Sequence, residues 1–347
     1  MASRFHHAKA IVFERPHKAV LKDIKLAEMD DETIVVRTKY SGISSGTEMA
    51  VYTGEGAWEG AWTYPCVPGY EEVGEVVYVG PKAKPTSSGE TLKVGDRVMA
   101  NEVRYYPELG AAWGGQCAYA IKNAKTSPAP MDRPAKIPDN VSYQEAVIAY
   151  LACVAKKGLD MVGVNPGETV LVTGMGNIGL SALQLARIYG AGRVIAADVR
   201  VNRLQLAGKY ADATLNLSSP DAVQELLEIN DGKKADVVIE CSGNPAAINP
   251  IPDYIRAGGR IHLQGQYRQP IVITGYARWN CNDLRISCSI AFNAGDKEAV
   301  LDLISKSKFD AKSLYSKAYP VDDAPTAYED LFKNRYDILK ILFKWEE

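Results

Sequence analysis

The sequence predicts an α/β fold in two parts: a β-rich, irregular domain, then a doubly wound parallel sheet, with the chain returning to β structure at its end. Three observations carry this. Roughly the first 145 residues hold short alternating apolar runs closely punctuated by Gly and Pro. The middle alternates Val/Ile/Leu-rich runs with segments of helical spacing. That middle section opens on a glycine fingerprint, VLVTGMGNIG.

Taken in order, AKAIVFE at 8–14, TIVVRTKYSGI at 33–43, EEVGEVVYVG at 71–80 and KVGDRVMA at 93–100 have the alternation and β-branched content of strands. The proline-rich AKTSPAPMDRPAKIPDN at 124–140 is a connector. VSYQEAVIAYLACVAKKGLDMVGV at 141–164 then has helical spacing. ETVLVTG, GLSALQLARIYG, RVIAADV and RLQLAGKYA follow as strand, amphipathic helix, strand and helix. ADVVIECSG and GRIHLQG are two further buried strands. The C-terminal part is expected to hold a helix around LDLISKS, a turn at Pro320 and Pro325, and a last strand in ILKILFKW.

At 347 residues the chain is long enough for one large or two medium domains. Its 40 basic and 42 acidic residues leave a net charge of −2, which argues against a nucleic-acid or membrane-surface protein. No apolar run has the length of a membrane span, and the N-terminus lacks the apolar core of a secretory leader, so a cytoplasmic protein is expected. The cysteines Cys66, Cys117, Cys153, Cys241, Cys281 and Cys288 contain no CxxC pair, which excludes a zinc ribbon and suits reduced, mostly buried thiols. Histidine is scarce: only His6, His7, His17 and His262 are available as metal ligands or proton shuttles.

Gly174, Gly176 and Gly179 form a G-x-G-x-x-G run between a strand and a helix, and Asp198 ends the next strand. The first glycine permits a tight turn, the second lets a pyrophosphate approach the backbone, and the third brings helix and strand together. The helix N-terminus offers free N–H groups to phosphate. Asp198 suits the ribose hydroxyls of NAD, although Arg200 and Arg203 nearby are the residue type that accommodates the extra phosphate of NADP. NAD is the expected cofactor.

With these motifs in place, the chain resembles the medium-chain dehydrogenase/reductase family, in its zinc-type alcohol and polyol dehydrogenase branch. The likeness runs in order through AKAIVFE, GISSGTE, VPGYEEVGEVVYVG, KVGDRVMA, LACVAKKGLDMVGVNPGETVLVTGMGNIG, DVVIECSG and VDDAPTAYEDL. It implies a GroES-like catalytic domain from residues 1–148 and 292–347 around a Rossmann domain at 149–291. GISSGTE, VPGYE and the Trp-Gly-Gly at 113–115 are similar to the subgroup that includes bacteriochlorophyllide a dehydrogenase, which lacks the zinc residues.

At the positions where zinc members carry their three catalytic ligands, this chain has Ser45 (or Ser44, by a one-residue ambiguity), Tyr70 and Ala149. A hydroxyl, a phenol and a methyl group do not replace thiolate and imidazole around zinc. Of the four cysteines of the structural zinc lobe only Cys117 is present. No zinc of either kind is expected. Proton transfer then falls to Thr47, Glu48, Tyr70 and Glu71, with Tyr70 as hydrogen-bond donor or acid to the reacting oxygen and Glu48 or Glu71 tuning it or serving as base. The plainer alternative is that the two glutamates brace the fold, Tyr70 fills the vacated cavity and Thr47 caps a turn. The expected cofactor site comprises Gly174, Gly176, Asn177, Ile178, Gly179, Asp198, Arg203, Cys241, Gly265 and Lys340.

Tyrosine is plentiful (19) and phenylalanine scarce (6), and loop aromatics with polar neighbours suit a ring that also needs hydrogen bonds. Ser45, Tyr52, Trp58, Trp113 and Trp279 are the candidate substrate contacts. The expected activity is zinc-independent, NAD-dependent oxidoreduction of a secondary alcohol or ketone on a polyhydroxylated ring, a sugar or cyclitol, with epimerisation on tightly bound NAD as a variant. The alternatives are a dehydrogenase or reductase of a large hydrophobic ring such as a tetrapyrrole, and a non-catalytic NAD-binding protein. A homodimer or homotetramer, joined near residues 265–290, is expected by analogy with the family.

Overall fold

The structure, a computed structural model, describes residues 5–55 and 62–345. Trp58, a candidate substrate contact, lies outside the described residues. The chain divides into two compact units, Met1–Tyr150 with Asn293–Glu347, and Leu151–Phe292.

The first unit starts with β1 (His7–Arg15), β2 (Lys18–Lys25), β3 (Ile34–Gly42), helix α1 (Thr47–Thr53), β4 (Cys66–Val67), β5 (Glu71–Val79), β6 (Arg97–Met99), β7 (Gly110–Ala111), β8 (Tyr119–Lys122) and β9 (Ala135–Lys136). The unit boundary falls inside α2 (Tyr143–Val162). The second unit continues with β10 (Thr169–Thr173), α3 (Asn177–Ile188), β11 (Arg193–Asp198), α4 (Val201–Ala207), β12 (Ala213–Asn216), α5 (Ala222–Ile229), β13 (Ala235–Glu240), α6 (Ile251–Tyr254), β14 (Ile255–Leu263), α7 (Ala277–Asn280) and β15 (Arg285–Cys288). The chain ends in the first unit with α8 (Asp296–Ser305), β16 (Lys317–Pro320), α9 (Ala324–Asn334) and β17 (Ile341–Lys344).

In the second unit six parallel strands run β12-β11-β10-β13-β14-β15. Their order reverses at β10 and β13, the topological switch point of a dinucleotide-binding sheet. Residues such as Val170, Leu171, Val172, Ile195 and Val238 are fully buried, which is why these strands read as continuous apolar runs rather than alternating ones. The first unit holds a four-stranded sheet, β2-β1-β4-β7, and a seven-stranded one in which β16-β17-β3-β5-β6-β9 is joined by β8 on β3. β17 brings the end of the chain beside β3.

Pro325, expected in a turn, instead sits in the first turn of α9. The first helical positions have no intrahelical N–H partner, so proline costs nothing there and its fixed φ favours the helix. Ala327, Tyr328 and Leu331 of α9 pack into a core with Ile11, Phe13, Val51 and Phe343. Among the described residues no helix is long and apolar enough to cross a membrane.

Candidate functional site

Three neighbouring strands assemble the candidate active site in the first unit. β3 runs antiparallel to β5 with Gly42 opposite Glu71, and β17 lies along β3 with Leu342 opposite Gly42. Ser44 just past β3, Tyr70 just before β5 and Lys340 just before β17 therefore converge. Gly42 makes room for them: a Cβ there would lie 2.4 Å from Glu71 Oε2 and 2.9 Å from Lys340 Cε. The Lys340 ammonium forms an ion pair with the Glu71 carboxylate, and both side chains are sealed from solvent. Burial pushes the Glu71 carboxyl up, and the Lys340 charge opposes that.

Tyr70 is half-buried, and its hydroxyl shares a 2.5 Å hydrogen bond with Ser44 Oγ. Thr47, at the start of α1, hydrogen-bonds the same phenol. Burial, then the neighbouring Glu71 charge, pushes the phenol above its usual range, so it stays protonated at neutral pH. The Tyr70 phenol is thus protonated and held between two hydroxyls. Between the two serine alternatives the structure selects Ser44; Ser45 is exposed. The physical reason is the extra residue in GISSGTE, which puts the buried serine directly after Ile43.

Glu48, one of the acid/base candidates, is fully buried. Its Oε1 accepts hydrogen bonds from the Tyr328 hydroxyl and from Gln116 Nε2 at 3.1 Å, and its Oε2 lies 3.4 Å from the Ser44 amide. Burial pushes its carboxyl up to about 8, helped by the Glu71 charge and opposed by these hydrogen bonds. Glu48 and Glu71, expected to tune Tyr70 or to serve as base, are both sealed from solvent; the charge of each raises the Tyr70 phenol, and Glu48 also contacts the Ser44 amide. Gln116 and Tyr328 were missed. Gln116 carries no motif, and Tyr328, although within VDDAPTAYEDL, shows no link to Glu48 until the fold puts α9 against α1.

A raised folded-state pKa has a signed consequence. Below the unfolded value of 4.5 Glu48 is neutral in both states; as pH rises from there towards about 8, the unfolded chain ionises first and the fold loses stability. Glu48→Gln removes this group, so urea unfolding of the variant should depend less steeply on pH between about 5 and 8 than that of wild type. Parallel curves would contradict the assignment.

Trp113 holds an unusual backbone conformation, φ 68°, followed by Gly114 at 77°. Such a φ is an outlier for a bulky residue and persists only where the surroundings enforce it. The enforcing contacts are hydrogen bonds from Gly115 and Gln116 amides to Gly69 and Pro68 carbonyls, at 2.6 and 2.9 Å, and from the Val103 amide to the Trp113 carbonyl at 2.8 Å. The indole sits edge-on to Tyr70 with centroids 5.7 Å apart, and 5.1 Å from Trp62. Two other aromatic candidates are corrected. Tyr52 is a core residue, stacked on Tyr328 at 5.4 Å, because α1 turns that face towards α9. Trp279 is buried in the core of the second unit with Ile251 and Ile261.

In the second unit the fingerprint closes as a cradle. Gly174 has φ 86°, a conformation open to glycine, and a Cβ on Gly179 would fall 2.0 Å from the Gly174 carbonyl oxygen. A Cβ on Gly176 would meet nothing within 4 Å, which leaves open space over the N-terminus of α3. Asn177 and Ile178 form its first turn. Asp198 is half-buried and accepts from the Met175 amide at 2.7 Å and the Arg200 amide at 2.9 Å. Arg203 lies in α4 with its side chain largely buried. Cys241 and Gly265 follow β13 and β14. Lys340 is the exception: expected at the cofactor, it is committed to Glu71 in the first unit.

Comparison with known proteins adds the family. Residues 30–157 match the alcohol dehydrogenase GroES-like domain family, and residues 177–306 match the zinc-binding dehydrogenase family. The chain is 28% identical over 340 residues to a probable D-xylulose reductase A of Aspergillus clavatus, covering 93% of each chain. It is 24% identical to sorbitol dehydrogenase of Bacillus subtilis, covering 96% of each. An alcohol dehydrogenase of Escherichia coli CFT073 solved with NADH superposes with a TM-score of 0.80 at 24% identity, over 98% of this chain and 99% of that one. The fold, the glycine cradle and the two matched domains, which together span most of the chain, make it an oxidoreductase similar to the medium-chain alcohol and polyol dehydrogenases.

Proposed function

We propose that the protein is a zinc-independent, NAD-dependent oxidoreductase that interconverts a secondary alcohol and a ketone on a polyhydroxylated ring, a sugar or cyclitol. The single observation that carries this is the Tyr70 phenol bonded to Ser44 where relatives of this kind hold a metal. The donor set does not fit zinc. Ser44 and Tyr70 hydroxyls bond to each other, Ala149 offers a methyl group, and the Glu71 carboxylate is committed to Lys340. Among the described residues no three His, Cys, Asp or Glu side chains are grouped to hold a metal ion.

The residues of the glycine cradle fit a dinucleotide, and Asp198 favours NAD over NADP by like-charge repulsion of a 2′-phosphate. NAD, when bound, supplies the hydride acceptor at its nicotinamide. Tyr70 donates to the substrate oxygen. In ketone reduction its proton passes to that oxygen and is replaced through the Ser44 or Thr47 hydroxyl, which in turn takes a proton from solvent; in oxidation the same relay runs backwards and releases the proton to solvent. Burial first, and then the Glu71 charge, keeps the phenol protonated near neutral pH, so it carries a proton to give. Trp113, with Trp62, supplies an aromatic wall for the apolar face of a ring. Exposed Val272, Ile273, Tyr276, Ile286 and Ile290, on and around the edge strand β15, support a homodimer or homotetramer.

The test is a panel of cyclitols, cyclic sugars and linear polyols assayed with NAD and NADP, with metal content measured on the same sample. Turnover of a cyclic polyol with NAD is expected. NAD retained through purification, with isomerised product and no net NADH, identifies the epimerising variant. Turnover of a large apolar ring and of no sugar would replace this reading.

A further inference from the structure

We infer that Glu240 is a positioning residue for the nicotinamide half of the dinucleotide, acting through Ser242 and Tyr267. The inference rests on the proposed dinucleotide binding and assigns a job to a buried carboxylate that the hydride chemistry does not use. The strand order reverses between β10 and β13, and Asp198 at the end of β11 marks the adenosine side. The other half of a bound dinucleotide therefore lies over the carboxyl ends of β13 and β14.

Glu240 is the last residue of β13, in register with Leu263, the last of β14. It is fully buried and ties the end of one strand to two loops. From the last residue of β10, Thr173 Oγ1 lies 3.5 Å from its Oε1. From the loop after β13, the Ser242 amide donates to Oε1 at 2.9 Å and the Ser242 hydroxyl donates to the same oxygen. From the loop after β14, the Tyr267 hydroxyl donates to Oε2. The Glu240 carbonyl also accepts from the Gln264 and Gly265 amides at 2.8 and 3.0 Å.

The loops after β10, β13 and β14 touch backbone to backbone. A Cβ on Gly174 would fall 2.5 Å from the Ser242 nitrogen, and one on Gly265 would fall 2.4 Å from the Gly243 nitrogen and 2.9 Å from Glu240 Oε2. Cys241 and Tyr267 are the titratable neighbours, and no cation among the described residues pairs with Glu240. A carboxylate buried among neutral donors is costly and is tolerated where the donors it organises matter. Those donors are the walls of the nicotinamide half-site.

The test compares NADH and AMP binding to the full chain, by nicotinamide fluorescence and by calorimetry, for wild type, Glu240→Gln and Tyr267→Phe. Loss of a charge-assisted acceptor corresponds to about tenfold weaker NADH binding for Glu240→Gln, with about threefold for Tyr267→Phe. AMP, which occupies only the adenosine side, should bind within about twofold of wild type. Equal losses for NADH and AMP would mean a purely structural role and overturn the inference, as would unchanged NADH binding. If Glu240→Gln does not fold, the Tyr267→Phe split decides alone. Wild-type protein that binds neither ligand overturns the cofactor reading and takes this one with it.

Discussion

Tyr70→Phe should lower kcat by about 10²–10⁴-fold, the range for loss of a positioned general acid, while KM changes by only a few-fold. Phenylalanine keeps the ring and its edge contact with Trp113, so the aromatic wall survives and only the proton donor is lost. Ser44→Ala leaves the phenol with Thr47 as its remaining hydroxyl partner and should cost less, about tenfold, because orientation weakens but the proton remains. Steady-state kinetics in both directions, with circular dichroism to verify folding, measure this. Full activity in folded Tyr70→Phe would remove the phenol from the chemistry.

Lys340→Met should destabilise the protein by about 3–5 kcal/mol at neutral pH, the usual result of removing one partner of a buried ion pair. Gly42 leaves the space in which the pair lies, and both side chains are sealed from solvent. The sign with pH follows from the raised Glu71 carboxyl. Without the lysine that opposes burial, the folded-state value rises further. The penalty is therefore absent below the unfolded value of 4.5 and grows as pH increases above it. Glu71→Gln combined with Lys340→Met should recover most of the loss, since no charge is left unpaired. Urea unfolding at pH 5 and pH 8 separates the outcomes. A single variant as stable as wild type at pH 8 would contradict the pairing.

Much of the fold was legible because its signals are local. The glycine fingerprint, the apolar strands around it and Asp198 each depend on a few neighbouring residues, and the parallel sheet follows from their alternation. The helix at Ala324–Asn334 was not legible, since Pro325 looks like a breaker until its place in the first turn is known. The candidate site was half legible. Tyr70 and Thr47 stand out by their place in motifs, but the choice between Ser44 and Ser45 depends on how one extra residue is absorbed. Tyr328 and Gln116 reach Glu48 from 280 and 68 positions away in the chain, a proximity that only tertiary packing creates. Tyr52 and Trp279 failed as substrate contacts for the same reason: aromatic residues in a sequence do not announce whether they face a core or a ligand.

The central claim is that side-chain hydroxyls, with Tyr70 foremost, activate the reacting oxygen by hydrogen bonding and proton transfer, where zinc-dependent enzymes use a metal as Lewis acid. The most direct measurement is NAD-linked turnover of a cyclic polyol by protein stripped with a chelator and verified metal-free by elemental analysis. Undiminished turnover, abolished by Tyr70→Phe, is the expected result. Activity lost on stripping and restored by adding zinc would contradict the account.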